Sequence, residues 1–395
     1  MKQKICIIVQ NYYEIDPRVR RKVSTLVENG NVVDVIALKY KKRPFINQED
    51  GATIYNIPLG KMRGGIIRYV FEYFIFWFLS SMILNWQFIK KRYDTVDINN
   101  LPDFLVFAAW FPKLMGSKII LDMHEITPEF FMSKYKVGPS SFVYRILVRL
   151  ESLSCKYADH VIASNDLIAE KVKERNSLNS KLTIVVNTAD DKFFRSGESV
   201  NEKNRKRNSP IIFMYHGTLT TFYGLDIALE ALSIVRSKLP GQGVQLHIIG
   251  EGSTLNDLRI MRHKYGLDDL VFFKEPVPIH DISKTLEGCD VGLIPTRRDV
   301  FLDLSFSNKL VEYVALRKPV VAARLRGYRH YFREESLGFF EPNNPISLAE
   351  AMIKVIKNRS AWEELAENAF QDYQAITWKT MSKRYIDLVN YSRKS

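Results

Sequence analysis

Apolar residues in this chain come in blocks, and polar residues punctuate them. Residues 4–10 form a continuous apolar run with polar neighbours, the pattern of a strand covered on both faces. Asp16-Pro17 then opens a stretch that sets Val19, Val23, Leu26 and Val27 on one side of a helix. Asp16 is placed to cap it, Pro17 to start it and Asn29-Gly30 to end it. Residues 32–38 are a second apolar run, and strand, helix, strand at this spacing predicts a parallel βαβ unit. The same rhythm predicts strands at 93–98, 118–121, 160–163 and 181–186, with an amphipathic helix over 142–157. It stops at 196–210, SGESVNEKNRKRNSP, which has almost no apolar residue and reads as a domain boundary. Beyond it strands are expected at 211–215, 244–249, 271–273, 290–295 and 320–323, with closing helices from Glu350. The expected class is α/β, with two domains that each carry a parallel sheet.

Residues 66–89, IIRYVFEYFIFWFLSSMILNWQFI, break the rhythm. They are long enough to cross a bilayer, but Arg68, Glu72, Asn85 and Gln87 interrupt them. Lys61, Arg63, Lys90, Lys91 and Arg92 flank them. Three readings stay open: a helix lying on an anionic membrane, a helix buried in the core, and a transmembrane span. The third sits poorly with sheet-forming segments of one domain on both sides.

Composition adds three constraints. The length, 395 residues, exceeds one ordinary core and fits two domains. Cys6, Cys155 and Cys289 are odd in number and far apart, which points to a reducing compartment and to no metal cluster. The N-terminal apolar run is too short for a signal peptide and reads as a strand, so a cytoplasmic chain is expected. Net charge is +13, which calls for a polyanionic partner: nucleic acid, anionic membrane or phosphorylated substrate. No nucleic-acid-binding signature accompanies it, so no nucleic-acid partner is expected.

The candidate chemistry lies where strands end, because parallel sheets bind ligands at their carboxyl edges. One such loop carries Asp16, Arg18 and Arg20; another is Asp122-Met123-His124-Glu125, a His between carboxylates. In the second half His216-Gly217-Thr218-Leu219 and Gly250-Glu251-Gly252-Ser253 follow strands, although a Gly-x-Gly alone is as consistent with a plain turn. The most informative stretch is 303–323, DLSFSNKLVEYVALRKPVVAA. It reads as a loop, a helix started by Ser305, Ser307 or Asn308 and stopped by Pro319, then a strand. Lys309 falls in the first helical turn, where the dipole disfavours a cation unless an anion binds there. Glu312 lies one turn on, about 5–6 Å away between Cβ atoms, near the step from a diphosphate to a ribose. The competing reading is an ordinary surface Lys–Glu pair.

Several of these stretches, in this order, resemble the GT-B glycosyltransferases, and specifically family 4, the retaining, nucleotide-sugar-dependent group. They are Asp16-Pro17-Arg18-Val19, Asp122-Met123-His124-Glu125, Tyr157-Ala158-Asp159 with Val161-Ile162 and Ser164, His216-Gly217-Thr218-Leu219 with Gly224-Leu225, Ile249-Gly250-Glu251-Gly252, and Asn308-Lys309-Leu310-Val311-Glu312-Tyr313 with Lys318-Pro319-Val320. The resemblance implies two Rossmann-like domains facing a central cleft: an acceptor-binding domain over 1–195, a linker over 196–210, a nucleotide-sugar domain over 211–375, and a C-terminal helix over 376–395 crossing back to the first. It implies that Glu312 binds the donor ribose, that His124 contacts the donor sugar near its reacting carbon, and that Gly217 and Thr218 face the diphosphate. The expected donor set is therefore Gly217, Thr218, Gly250, Glu251, Ser307, Asn308, Lys309 and Glu312. The expected acceptor-side set is Asp16, Arg18, Asp122 and Glu125, with His124 and Lys309 catalytic, a UDP- or GDP-sugar as substrate, and neither metal nor cofactor. A lipid-linked saccharide acceptor and an inner-membrane surface contacted through 61–92 complete the expectation, in cell-surface polysaccharide assembly. The chain departs from the family at Leu304, where the first Glu of its Glu-x7-Glu motif would stand, with Asp303 beside it. It departs again at Thr218 and Tyr223, where Arg and Lys are frequent, so the diphosphate charge falls to Lys309 with Arg297 or Arg298. Arg317 stands where a helix-ending Gly is usual. A nucleotide-sugar epimerase of the same fold, or a binding protein that has lost catalysis, are the alternatives.

Overall fold

The computed structural model describes residues 2–60, 66–178, 181–194 and 209–391. Two compact units emerge: unit 1 is Met1–Asn187 with Lys379–Ser395, and unit 2 is Thr188–Trp378. Most of the expected linker, 196–208, and the flanking cations Lys61 and Arg63 lie outside the described residues.

Unit 1 is built on β1 (Lys4–Tyr12), β2 (Val32–Leu38), β3 (Ile46–Glu49), β4 (Ala52–Ile57), β5 (Thr95–Asn99), β6 (Lys118–Met123), β7 (His160–Ala163) and β8 (Leu182–Ile184). The sheet order is β3-β4-β2-β1-β5-β6-β7-β8, parallel throughout except for the β3–β4 hairpin. That hairpin was not expected. It turns on Asp50-Gly51, both at positive φ, a pair that suits a tight reversal. The strands are apolar because helices cover both faces: Ile5, Ile7, Ile8, Val35, Ile98, Ile120 and Leu121 are all buried. The strand order reverses between β1 and β5, which opens a switch point at their carboxyl ends.

Helix α1 (Pro17–Glu28) begins as the sequence indicates. Asp16 is its N-cap and accepts from the Arg18 and Val19 N–H groups. Helix α2 (Ile66–Lys91) is two-faced, one side buried in unit 1 and the other exposed. Phe76, Leu84 and Phe88 are buried against unit 1, and the buried Glu72 accepts from Gln10 on β1. Asn85 donates to Ser81 at 3.3 Å. The opposite face leaves Phe71, Phe74, Phe78, Met82, Trp86 and Ile89 exposed at helical spacing. The transmembrane reading is corrected: among the described residues no helix is long and apolar enough to cross a membrane. A second correction concerns Lys91. It is not a free surface cation, because it donates to Asp34 at 2.6 Å and to the Tyr55 hydroxyl at 3.1 Å.

Unit 2 is built on β9 (Ile211–His216), β10 (Val244–Ile249), β11 (Val271–Lys274), β12 (Val291–Ile294), β13 (Val320–Ala323) and β14 (Gly338–Phe340). They form a wholly parallel sheet in the order β11-β10-β9-β12-β13-β14. Its switch point lies at β9, between β10 and β12. Helix α3 (Asn308–Ala315) links β12 to β13 and buries Leu310, Val311, Tyr313, Val314 and Ala315. It ends before Pro319: Arg317 takes the left-handed conformation at φ 52°, the position that usually suits Gly. Arg317 is held there by Glu367 and by the Phe370 ring, 3.9 Å from its guanidinium carbon. Helix α4 (Trp378–Asn390) carries the chain back into unit 1 from Lys379 onward and buries Met381, Tyr385, Leu388 and Val389.

Candidate active site

In unit 2 two glycine loops cross at the carboxyl ends of β9 and β10. The Gly217 N–H donates to Ile249 O at 2.9 Å, and the Leu219 N–H donates to Glu251 O at 2.9 Å. Thr254 N–H closes the crossing on Leu219 O at 3.2 Å. Gly217 sits at φ +116°, and a Cβ there would lie 2.4 Å from Lys309 Cε. The Lys309 side chain therefore runs across the bare backbone of Gly217. Its ammonium lies 3.8 Å from the centroid of the Tyr223 ring and 5.7 Å from that of Tyr215.

The start of α3 lacks the usual compensations for a helix N-terminus. Ser307 is its N-cap but makes no side-chain cap bond, the first turn has no acidic residue, and the buried Asn308 Oδ1 has no hydrogen-bond partner. A lysine in that turn adds positive charge to a positive dipole end. Glu312, one turn on, reaches the buried His216, with Oε2 and Nε2 3.2 Å apart. Burial, reinforced by the Lys309 ammonium, pushes the His216 imidazole down to about 3, so it is neutral near pH 7. A neutral ring beside Glu312 adds no positive charge of its own to that pair. The expected donor residues Gly217, Gly250, Ser307, Asn308, Lys309 and Glu312 thus gather at one edge of the sheet. Thr218 and Glu251 are exposed at the crossing loops, where their backbone carbonyls accept hydrogen bonds from Tyr215 and Leu219.

Two other expected cations serve the scaffold. Arg297 binds Thr221 O at 3.1 Å and pairs with Asp226, while Arg298 pairs with Asp303 at 3.4 Å and donates to Arg324 O. Asp303 also accepts from the Arg326 N–H at 3.1 Å. Leu304 is buried.

In unit 1 the residues expected on the acceptor side meet at the ends of β1, β5 and β6. Asp16 holds the Arg18 guanidinium with both oxygens, at 3.0 and 2.9 Å. Burial alone would raise the Asp16 carboxyl, but Arg18 outweighs it and holds the group well below the usual carboxylate range. Arg20 is a strut, binding Asp50 at 3.0 and 3.1 Å. His124 is anchored by its backbone: its N–H donates to Asn100 Oδ1 at 2.9 Å, and its carbonyl accepts from Ser164 Oγ at 2.9 Å. Its ring Nε2 lies 2.8 Å from Asn99 Oδ1 and 3.2 Å from Asp122 Oδ2. Glu125 is raised by burial, which the nearby Arg18 and Lys134 cations only partly offset.

The sequence reading did not single out Asn99, Asn100, Asp97 or Lys22 as site residues. The signal was present at 97–100, where polar residues end an apolar strand run as DINN. Lys22 gave none, because it lies among the apolar positions of α1.

A family model for the group 1 glycosyl transferases matches residues 197–372, and one for the glycosyl transferase 4-like domain matches residues 15–188. A relative, the probable glycosyltransferase WbjE of Pseudomonas aeruginosa, is 24% identical over 282 residues, 67% of this chain and 66% of that protein. Sucrose-phosphate synthase from Thermosynechococcus elongatus is similar in structure, with a TM-score of 0.77 at 17% identity over 98% of both chains. Anabaena Alr3699/HepE in complex with UDP-glucose gives a TM-score of 0.71 at 15% identity, over 98% of this chain and 99% of that one. At such identities the structural likenesses speak for the fold, and the two family models speak for the kind of enzyme. The chain belongs to the GT-B glycosyltransferases of family 4.

Proposed function

We propose that this glycosyltransferase moves a sugar from a nucleoside diphosphate sugar to a hydroxyl of a lipid-linked saccharide, with retention at the anomeric carbon, in cell-surface polysaccharide assembly. The observation that carries the reading is Lys309, laid over Gly217 in the first turn of a helix that has no side-chain cap and no acid in that turn. A diphosphate at that turn makes both the Lys309 charge and the positive helix end favourable. Glu312 accepts the ribose hydroxyls one turn away. In the reaction the bond from the anomeric carbon to the diphosphate oxygen breaks. The acceptor oxygen bonds the same face of that carbon, and the acceptor proton passes to the departing phosphate. Charge grows on the diphosphate, so Lys309 and the α3 N–H groups supply stabilisation there without a metal. Asp16, Arg18, Asp122 and Glu125 belong to the acceptor side, and His124 binds a substrate hydroxyl.

The test is a thermal-shift screen of UDP, GDP and ADP beside their nucleosides. At a hundredfold excess over Kd the bound nucleotide stabilises by about 2.7 kcal/mol, a rise of several degrees. One diphosphate is expected to give that rise while its nucleoside gives far less. The absence of a shift with every diphosphate overturns the reading.

The outer face of α2 supplies the lipid side of the proposal. Its apolar stripe ends in the exposed cations Lys90 and Arg92, and the net charge of +13 favours an anionic surface. Trp110 and Leu114 on the helix Trp110–Leu114, with Met115 just after it, are further exposed apolar residues, and that helix is joined to α2 through the Phe88–Phe111 ring contact at 5.6 Å. This fits a peripheral protein on the inner face of the cell membrane. Replacing Phe74, Phe78 and Trp86 together by Ser is expected to cut sedimentation with phosphatidylglycerol vesicles by at least about tenfold. Unchanged binding by a folded variant shows that the stripe does not face lipid.

A further inference from the structure

Behind His124 and Asp122 lies a buried chain of polar groups, Tyr385, Asp97 and Lys22, that no assigned role uses. Tyr385, on α4, donates its hydroxyl to Asp97 Oδ2 at 2.6 Å. Lys22, on α1, donates to the same oxygen at 3.0 Å and also to Asp122 Oδ2. Asp122 in turn contacts the His124 ring. All these side chains are nearly inaccessible: Lys22 is 4% exposed, Asp97 0%, Asp122 2% and His124 6%. Tyr385 is fully buried, and the Lys22 ammonium also lies 5.0 Å from its ring centroid. Burying one ammonium between two carboxylates is costly, and a packed apolar set would serve a core as well. The arrangement calls for a purpose.

The geometry of the imidazole supplies it. Both partners of Nε2 are acceptors: Asp122 is a carboxylate, and Asn99 presents its carbonyl because its amide nitrogen donates to Ile8 O at 3.2 Å. Nε2 must then carry the proton. The other ring nitrogen, Nδ1, is buried and has no hydrogen-bond partner among the described residues. A neutral ring so held offers Nδ1 as a lone-pair acceptor.

We propose that Tyr385, Asp97 and Lys22 are positioning residues, a buried relay that sets how strongly Asp122 grips His124 and so keeps Nδ1 free to accept a substrate hydroxyl. The relay rests on the glycosyl-transfer reading for its purpose, but not for its existence. Lys22 is the divider: what it gives to Asp97 it withholds from Asp122. The Tyr385 hydroxyl shares Asp97 Oδ2 with Lys22, weakens the hold of that oxygen on the ammonium, and leaves more of Lys22 for Asp122. The relay therefore begins on the helix by which the chain re-enters unit 1. Every group facing His124 enters the balance: Asp122 from β6, Asn99 from β5, Asp16 and Arg18 from the start of α1, Lys22 from its second turn, and Glu125 next in sequence. Burial, with Arg18 and Lys22, lowers the His124 imidazole against the pull of Asp122. Burial would raise Asp122, but His124 and Lys22 outweigh it and hold it well below the usual range.

The test follows the ring resonances of His124 in ¹³C-histidine-labelled full-length protein during a pH titration, assigned with His124→Gln. Lys22→Met removes a like charge from His124 and leaves Asp122 to the imidazole alone, so the His124 midpoint should rise by about one pH unit or more. Tyr385→Phe keeps the buried ring and removes only the hydroxyl. Asp97 then draws Lys22 more strongly, Asp122 leans on His124, and the midpoint should rise in the same direction by a smaller amount. The acid limb of the transfer rate should move with it. A Tyr385→Phe protein that melts normally and titrates at the unaltered midpoint overturns the relay, whether or not Lys22→Met folds. The titration uses no donor or acceptor. A shifted midpoint in a protein that turns over no nucleotide sugar would support the relay and remove the transfer reading.

Discussion

Replacing Lys309 by Ala is expected to lower kcat/KM for sugar transfer by about two to three orders of magnitude, the usual cost of removing one preorganised group that faces developing negative charge. The size of the effect follows from where the ammonium sits. It is held at 3.8 Å over the Tyr223 ring, and its stem lies against the backbone of Gly217, so little reorganisation is required when charge develops beside it. Arg297 and Arg298 cannot easily replace it, since both are committed to carboxylates and backbone carbonyls. Calorimetric titration gives the sharper reading. The variant should bind the cognate nucleoside diphosphate about 10- to 100-fold more weakly, an effect of one charge-assisted contact, while affinity for the bare nucleoside stays level. Equal losses for both ligands would mean that Lys309 shapes the pocket and does not read phosphate. No loss for either would return it to the status of an ordinary surface lysine.

What the sequence disclosed and what it hid divide along one physical line. Elements whose signal is local were legible. The strands β2, β7, β10 and β13 lie where their apolar runs end, because a strand covered on both faces has no alternative pattern. Asp16, Pro17 and the helix after them, or Lys309 and Glu312 on α3, are fixed by neighbours within one turn. The hairpin of β3 and β4 was equally local, signalled by Asp50-Gly51, but its outer strand is mostly polar and escaped a search for apolar runs. Strand β14 is only 3 residues long, too short to show any period. Groups paired across the chain left no trace in spacing. Tyr385 and Asp97 are 288 positions apart, and Lys22 and Asp122 are 100. Nothing near Lys22 distinguishes a buried lysine from a solvated one. Likewise the placement of His216 beside Glu312, and of Tyr223 beneath Lys309, depends on α3 packing against β9, where the Tyr313 hydroxyl donates to Met214 O at 2.7 Å. In the same way, α2 could not be read from hydropathy because its two faces answer to different surroundings, and one average describes neither.

The crossing of the glycine loops carries the other large effect. Gly250→Ala is expected to destabilise the protein by about 3 kcal/mol or more, lowering its melting temperature by roughly 6–12 °C, and to abolish nucleotide binding. A Cβ at position 250 would stand 1.9 Å from Gly217 O and 2.9 Å from Gly217 C. Both are backbone atoms, so no side chain can swing aside. The loop after β9 would have to retreat, breaking the 2.9 Å bonds from Gly217 to Ile249 and from Leu219 to Glu251. Retreat would also carry Gly217 away from beneath Lys309, so binding and stability fall together. Gly241→Ala separates this cause from simple backbone strain. Gly241 also has positive φ, +83°, but a Cβ there meets nothing within 4 Å. Its expected cost is about 1 kcal/mol, the left-handed penalty alone, with nucleotide affinity intact. If the two alanine variants melt at similar temperatures and bind the diphosphate equally well, the loops are not laced as described. The paired glycines would then be ordinary turns, and the donor site would need another explanation for its bare backbone.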